Sequence, residues 1–456
     1  MVNDTIAAIA TAPGEGGVAI LRVSGDRAET IMRGAFRPAR KYKNDKIESH
    51  RMYYGHLVDG EGVHLDEVMA VLMRAPKSYT REDVLEISCH GGRAAIQRAL
   101  RRVISLGVRS ALPGEFTRRA FENGRIDLTQ AEAVMGLISA GSEAAYRASM
   151  RQLEGGVSAF VKGCRNDLMA LMARIEAAND FPDEIDEFSE ALEGAKTARG
   201  IASQIERRAD AKAARIVREG VSVVLSGKPN VGKSSLMNAL LGSERAIVTD
   251  IAGTTRDVLT ERMTLGGISY TLSDTAGRRE TGDVVESIGV KRAEDAARSA
   301  DVVVLVLDAQ RGIDEEDRRL LSERDNRYIV VWNKSDAESA EARAAFERES
   351  LGGVNDLIEV SARTGEGMAA LEKAIEAKIG TEGGREDMLT QERHISLALQ
   401  AASSLRMAAD AMESGAPLDM ATVDLWDAIR YLGEITGEDA TESLIGEIFS
   451  RFCVGK

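Results

Sequence analysis

Apolar and polar positions divide the chain into four stretches of different period. In residues 1–121, short apolar runs at 6–10, 18–23, 53–57, 66–73 and 84–88 predict strands, the last alternating apolar and polar as a half-buried strand does. The patterns at 27–33 and 93–106 predict helices between them, so this stretch reads as a mixed α/β domain. Pro113-Gly114-Glu115-Phe116-Thr117 reads as a turn opening a further helix, with Thr117 or Asp127 as candidate N-caps.

Across 122–219 the apolar spacing becomes three and four. Ala131, Val134, Met135, Leu137 and Ile138, then Leu168, Leu171, Met172 and Ile175, predict amphipathic helices in an antiparallel bundle, broken at Phe181-Pro182-Asp183-Glu184. Residues 220–380 return to strands, at 221–225, 259–265, 269–273, 302–307, 328–332 and 357–360, mostly separated by helical stretches. The unbroken apolar run at 302–307 fits a central strand buried on both faces. The alternation predicts a mostly parallel sheet with crossover helices. After Thr381-Glu382-Gly383-Gly384, residues 381–456 are helical again, at 398–412, 419–431 and 443–452. None of these helices can bury its apolar face alone. They are expected to pack with 122–219, which makes one discontinuous helical domain with the α/β unit inserted into it.

Composition narrows the class. The chain has 456 residues, 44% hydrophobic and 29% charged, an ordinary globular profile of several domains. Its net charge of −14 removes any global basic field for nucleic acid, so an RNA contact has to rest on a local patch or a partner. Arg93, Arg98, Arg101 and Arg102 offer two readings, an RNA contact or the solvated face of a helix, and the second is the ordinary one. Cys89, Cys164 and Cys453 form no C-x-x-C pair and fit a reducing, cytoplasmic setting. The five histidines show no metal-ligand spacing. His90, between Cys89 and two glycines, reads as part of a turn or as a catalytic group, the turn being the plainer reading. The cluster Asp180, Asp183, Glu184, Asp186, Glu187 reads as a solvated loop or a cation site. No apolar stretch reaches the ~18–20 residues of a membrane span, and the first residues carry no basic segment of the kind that opens a signal peptide.

The chemistry begins at Gly227-Lys228-Pro229-Asn230-Val231-Gly232-Lys233-Ser234, a G-x-x-x-x-G-K-S sequence between an apolar strand and a helical run. That context makes it a phosphate-binding loop. Asn230, Val231, Gly232, Lys233, Ser234 and Ser235 are its candidate contacts; Lys233 can neutralise β- and γ-phosphates and the Ser234 hydroxyl can ligate Mg²⁺. Asp274-Thr275-Ala276-Gly277 ends a strand 40 residues after Ser234 and supplies an Asp for the magnesium shell and an N–H for the γ-phosphate. Asn333-Lys334-Ser335-Asp336 follows another strand. The Asp336 carboxylate can accept from the guanine N1–H and exocyclic amine, donors that adenine does not present there. Ser361-Ala362-Arg363 supports the base, with the Ala362 N–H as the donor to guanine O6. In this order the motifs describe a Ras-like, GTP-hydrolysing P-loop domain.

Thr249-Asp250-Ile251-Ala252-Gly253-Thr254-Thr255-Arg256-Asp257 lies between them. Its G-T-T-R-D segment is similar to the first switch of ribosome- and tRNA-associated GTPases, in which the second Thr, here Thr255, completes Mg²⁺ coordination. Arg278 stands where Ras-like proteins carry a water-positioning Gln. The chain closes on Cys453-Val454-Gly455-Lys456 and opens on D-T-I-A-A-I-A-T-A-P-G-E-G-G-V-A-I-L-R-V-S-G; Y-T-R-E-D-V-L-E, P-G-E-F-T-R-R-A-F, D-L-T-Q-A-E-A and D-F-P-D-E lie between. On these motifs, which run over the whole chain, it resembles the MnmE (TrmE) family of tRNA-modification GTPases.

The resemblance implies a K⁺ ion beside the phosphates held by Asn230, Thr249, Ile251 and Thr254, and a Glu286 that places the attacking water. With Lys233, Thr255 and Asp274, Glu286 completes the candidate catalytic set; without the resemblance it reads as a surface helix residue. It also implies that residues 1–121 form a dimerising domain holding 5,10-methylene- or 5-formyl-tetrahydrofolate. Arg22, Glu86, Arg125 and Lys456 match the folate contacts, and Cys453 matches a thiol near the folate. Arg125 stands where Lys is common and keeps the charge with a different geometry. The implied partners are GTP, tRNA and the FAD-binding protein MnmG, in a homodimer that forms a heterotetramer with MnmG. The alternative is a ribosome-assembly switch of the Era or EngA kind, which shares G-T-T-R-D but carries RNA-binding domains instead.

Overall fold

A computed structural model describes residues 4–181, 183–242, 260–274, 295–348, 357–380 and 388–456. The chain forms two compact units. One comprises residues 1–138, 150–206 and 396–456; the other comprises 139–149 and 207–395.

The first unit starts with strands β1 (Ile6–Ile9) and β2 (Val18–Ser24), helix α1 (Ala28–Ala35), and strands β3 (Phe36–Pro38), β4 (Met52–Val58), β5 (His64–Met73) and β6 (Val84–His90). Helix α2 (Arg93–Ser105), strand β7 (Arg109–Ser110) and helix α3 (Glu115–Glu122) follow. The sheet order is β3-β4-β5-β6-β2-β1-β7, antiparallel except for β1 with β7. Val68, Ala70 and Leu72 alternate with more exposed neighbours and join Ile31, Met32, Ala99 and Val103 of α1 and α2 in one core. The opposite face holds Ile6, Ala8 and Phe116. His90 ends β6 rather than lying in the turn, and its ring pairs with Asp66 at 2.6 Å. Thr117 lies inside α3, whose N-cap is Gly114, while Asp127 does cap the next helix by accepting from Gln130 N at 3.0 Å.

The helices continue with α4 (Leu128–Ser139), α5 (Glu143–Leu153), α6 (Gly156–Asp180), α7 (Glu187–Arg208) and α8 (Ala211–Glu219). Beyond α8 come β8 (Val221–Ser226), α9 (Lys233–Leu241), β9 (Thr260–Leu265), β10 (Ile268–Asp274), β11 (Val302–Asp308) and α10 (Glu315–Ser322). Then come β12 (Tyr328–Asn333), α11 (Ala340–Arg348), β13 (Leu357–Val360), α12 (Met368–Ile379), α13 (Glu392–Glu413), α14 (Leu418–Thr436) and α15 (Glu442–Ser450). The tail helices return to the first unit as expected. α14 packs along α6, and α13 is tied to α7 by Arg199 with Asp410 (2.5 Å) and Glu413 (2.7 Å) and by Arg406 with Glu206 (2.5 Å).

The second unit is a sheet of order β13-β12-β11-β8-β10-β9, parallel except for the β9–β10 hairpin. Every residue of β11 is buried, as a strand with helices on both faces requires. Val304 and Val306 are fully buried, each worth roughly 1.5–3 kcal/mol relative to an exposed position. α8 contributes Ile216 to this core. No helix of the described residues is long and apolar enough to cross a membrane.

Candidate functional site

β8 delivers the chain to the phosphate loop, and α9 starts at its far end. Gly232, the N-cap of α9, has φ 97°, and a side chain on it would collide with Asn333 Nδ2. Glycine therefore lets the loop close against the end of β12. Lys233, 4% exposed, donates from Nζ to the backbone oxygens of Gly227 and Lys228, each at 2.7 Å. The loop is thus curled around the ammonium at the positive end of a helix, an arrangement suited to phosphate oxygens. Ser234 and Ser235 are exposed on the first turn of α9, where a hydroxyl oxygen suits Mg²⁺. Asn230 is exposed at the bend of the loop with φ 65°.

The side chain of Lys228, at a position with no motif value, pairs with Asp314 and with Asp317 at 2.6 Å, at the start of α10. The bond from Lys228 holds the Asp314 carboxyl down at about 2, while burial pushes Asp317 up.

The base-reading motifs converge on the same loop. Asn333, 1% exposed, donates from Nδ2 to Val231 O at 2.9 Å. Ala362 N, the expected donor to guanine O6, here donates to Asn333 Oδ1 at 3.2 Å. Lys334 donates to Asn230 O at 2.9 Å and to Asp308 Oδ2 at 2.7 Å. Ser335 opens a short 3-10 turn, and the Asp336 carboxylate accepts from Ser361 Oγ at 2.6 Å and meets Arg363 Nη2 at 2.5 Å. The Ser361 bond, then the Arg363 charge, hold the Asp336 carboxyl below the usual range. Asp274 closes β10 opposite Leu225 of β8, beside the strand that enters the loop. Thr249, Asp250, Ile251, Ala252, Gly253, Thr254, Thr255, Thr275, Ala276, Gly277, Arg278 and Glu286 lie outside the described residues. Lys228, Asp308 and Asp317 were missed in the sequence. The one signal for Asp308 was an acid ending the apolar run of β11.

A second constellation forms in the first unit. Arg22 and Glu86 are cross-strand partners on β2 and β6, joined by Arg22 Nε to Glu86 Oε1 at 2.8 Å. Their side chains are 15% and 23% exposed. The Arg22 guanidinium lies 5.3 Å from the Tyr79 ring centre and 5.7 Å from that of Phe116. Arg125 lies 4.8 Å from the centre of the Tyr79 ring and donates to Tyr79 O at 3.1 Å. Tyr79 Oη and Thr117 Oγ1 are 2.9 Å apart.

The chain's last residues close this group. Arg22 Nη1 donates to Gly455 O at 3.2 Å, Val454 forms a bridge with Pro113, and Gly114 N donates to Cys453 O at 3.4 Å. Gly455 has φ 97°, and a side chain there would strike Ile9 O. Lys456 N donates back to Cys453 O at 3.3 Å, and Cys453 is exposed. Arg22 and Arg125 thus both lie on Tyr79, with Glu86 and Gly455 O bonded to Arg22 and Lys456 the next residue of the chain. Tyr79 and Phe116 were not foreseen, because their proximity to Arg22 is tertiary. Two guanidiniums beside an aromatic ring suit an anionic ligand, and the second Glu86 oxygen can accept from N–H donors of such a ligand.

A phosphate loop, a strand-end Asp and an N-K-S-D loop on a mostly parallel sheet define a P-loop GTPase. Family models described as "MnmE helical domain" and "GTP-binding protein TrmE N-terminus" match residues 128–453 and 5–125. The chain belongs to the MnmE family of tRNA modification GTPases. It is 44% identical to the tRNA modification GTPase MnmE of Moorella thermoacetica over all of both chains. It is also 44% identical to that of Acetivibrio thermocellus, over all of this chain and 99% of the relative. Among solved structures, the Era GTPase of Aquifex aeolicus bound to GDP and aluminium fluoride aligns with 40% of this chain and 66% of its own, at 27% identity and TM-score 0.29. Full-length identity to the MnmE relatives sets aside the ribosome-assembly alternative.

Proposed function

We propose that the protein is a K⁺-dependent GTPase that works with MnmG to install an aminomethyl-type group (cmnm5) on C5 of the wobble uridine of certain tRNAs. The carbon unit would come from 5,10-methylene- or 5-formyl-tetrahydrofolate. The observation that carries this reading is the pair Arg22 and Arg125 on the Tyr79 ring, with Glu86 and the Gly455 carbonyl both bonded to Arg22, in a chain that also bears a guanine-type nucleotide site. A GTPase that served only as a switch has no use for such a group.

At the nucleotide, the loop amides and Lys233 hold the phosphates, and Asp336 selects the base through two accepted hydrogen bonds. Ser234 and Thr255 would hold Mg²⁺ and Asn230, Thr249, Ile251 and Thr254 would hold K⁺, two cations whose chemistry is to offset phosphate charge. Glu286 positions the attacking water. In the first unit, Arg22, Arg125 and Lys456 would hold the carboxylate tail of the folate and Glu86 its ring, and the folate would supply one-carbon chemistry when bound. The working assembly is a cytoplasmic homodimer joined to MnmG, and nucleotide turnover times its conformational cycle. The wobble-base content of tRNA from a strain lacking the protein tests the reading.

A further inference from the structure

An acidic protein that works on tRNA needs a local basic surface or a partner. The arginines of α2 do not all supply one. Arg102 donates to Val58 O at 2.8 Å and Gly34 O at 2.9 Å and is a structural strut. A different segment stands out. Residues 37–46, RPARKYKNDK, hold five basic side chains and one acid, in a chain with 59 basic and 73 acidic residues. Arg37 lies on the edge strand β3, and Arg40, Lys41, Lys43 and Lys46 lie in the loop beyond it. All five are exposed, and among the described residues none forms an ion pair. The one acid, Asp45, is held by Arg33 at 3.4 Å.

The loop is fixed before any ligand arrives. Ile47 is fully buried, and Tyr42 sets its ring edge-on to Tyr53 with centres 5.0 Å apart. Ala39 N donates to Tyr54 O at 2.9 Å, Lys46 N to Lys43 O at 3.1 Å, and Arg33 to Asp45 O at 2.9 Å. Cations carried on an ordered loop lose little backbone entropy on binding. Basic residues at a sheet edge also deter edge-to-edge pairing. That role needs charge on β3 itself, whereas four of the five lie past its end.

We propose that the loop of residues 37–46 is a phosphate-backbone contact for tRNA, independent of base sequence. The inference rests on the tRNA reading above. The strand order β3-β4-β5-β6-β2 places this edge four strand spacings, roughly 19 Å, from the strand that carries Arg22.

The test uses the full-length chain and labelled unfractionated tRNA, followed by fluorescence anisotropy over a salt series. Joint Arg40→Ala, Lys41→Ala and Lys43→Ala should weaken binding at least tenfold at low salt. The slope of log affinity against log salt should fall by about two to three, near 0.7–0.9 per lost phosphate contact. GTP turnover should be unchanged, and Lys41→Arg with Lys43→Arg should bind as the wild type does. Equal affinity and slope, or no tRNA binding by the wild-type chain, overturns the proposal. So does a triple variant that changes only the oligomeric mass, since the loop then meets a second copy of the chain. Wobble uridines unaltered by deletion sink the functional reading separately and leave this binding result standing.

Discussion

Lys334, in the base-reading loop, donates to the backbone oxygen of Asn230 in the phosphate loop, 2.9 Å away. The same ammonium meets Asp308 Oδ2 at 2.7 Å, at the end of the central strand β11. With Asn333 bonded to Val231 O, the base reader and the phosphate loop are two faces of one clamp. The two loops are thus held together by contacts that no linear motif displays.

Lys334→Met should loosen that clamp and leave the carboxylate of Asp308, 4% exposed, without its nearest cation. Charge-assisted bonds of this kind are worth about 1.5–3 kcal/mol each, so GTP and GDP affinities should fall together by at least about tenfold. Calorimetric titration checks this, and retained GDP affinity would show that the two loops are positioned independently.

Asp336→Asn exchanges an acceptor for a donor where guanine presents N–H groups. Preference should move from GTP toward xanthosine triphosphate, whose ring offers a carbonyl at that edge. Competition binding with the two nucleotides reads the outcome; unaltered selectivity would remove Asp336 as the base reader.

Turnover of GTP should be roughly tenfold or more faster in KCl than in NaCl, because a correctly sized cation stabilises charge that develops only in the transition state. Asn230→Ala should abolish most of that difference. Equal rates in the two salts would remove Asn230, Thr249, Ile251 and Thr254 as the proposed potassium ligands.

Arg22→Met breaks the 2.8 Å pair with Glu86 and the contact with Gly455 O. Binding of 5-formyl-tetrahydrofolate, followed by equilibrium dialysis, should weaken at least tenfold, while nucleotide affinity stays as in the wild type. Since removing one member of a half-buried pair also costs stability, Arg22→Lys serves as the milder control. Undiminished folate binding in both variants would detach this group from the folate.

Strong local signals were readable in the chain. The run at β11 announced a doubly covered strand because every one of its side chains is apolar until Asp308. The phosphate loop announced itself because Gly232 and Lys233 serve backbone geometry and charge at fixed spacing. The discontinuous helical domain was legible because α13–α15 carry apolar stripes that need a partner. Other features had no local signal. β3 and β7 are three and two residues long, too short for any period to show. Thr117 looked like a cap, yet Gly114 takes that position and Thr117 turns inward to Tyr79. The clustering of Tyr79, Phe116 and Gly455 about Arg22 depends on sheet order and on the return of the C-terminal residues, which period and composition do not encode.

The proposed role of this GTPase is in tRNA wobble chemistry. Mass spectrometry of nucleosides from tRNA of cells with and without the protein tests it most directly. 5-Carboxymethylaminomethyl-type uridines should disappear from the wobble position in the deletion strain and return with the wild-type chain but not with the Lys233→Ala variant. Identical wobble uridines in the two strains would contradict it.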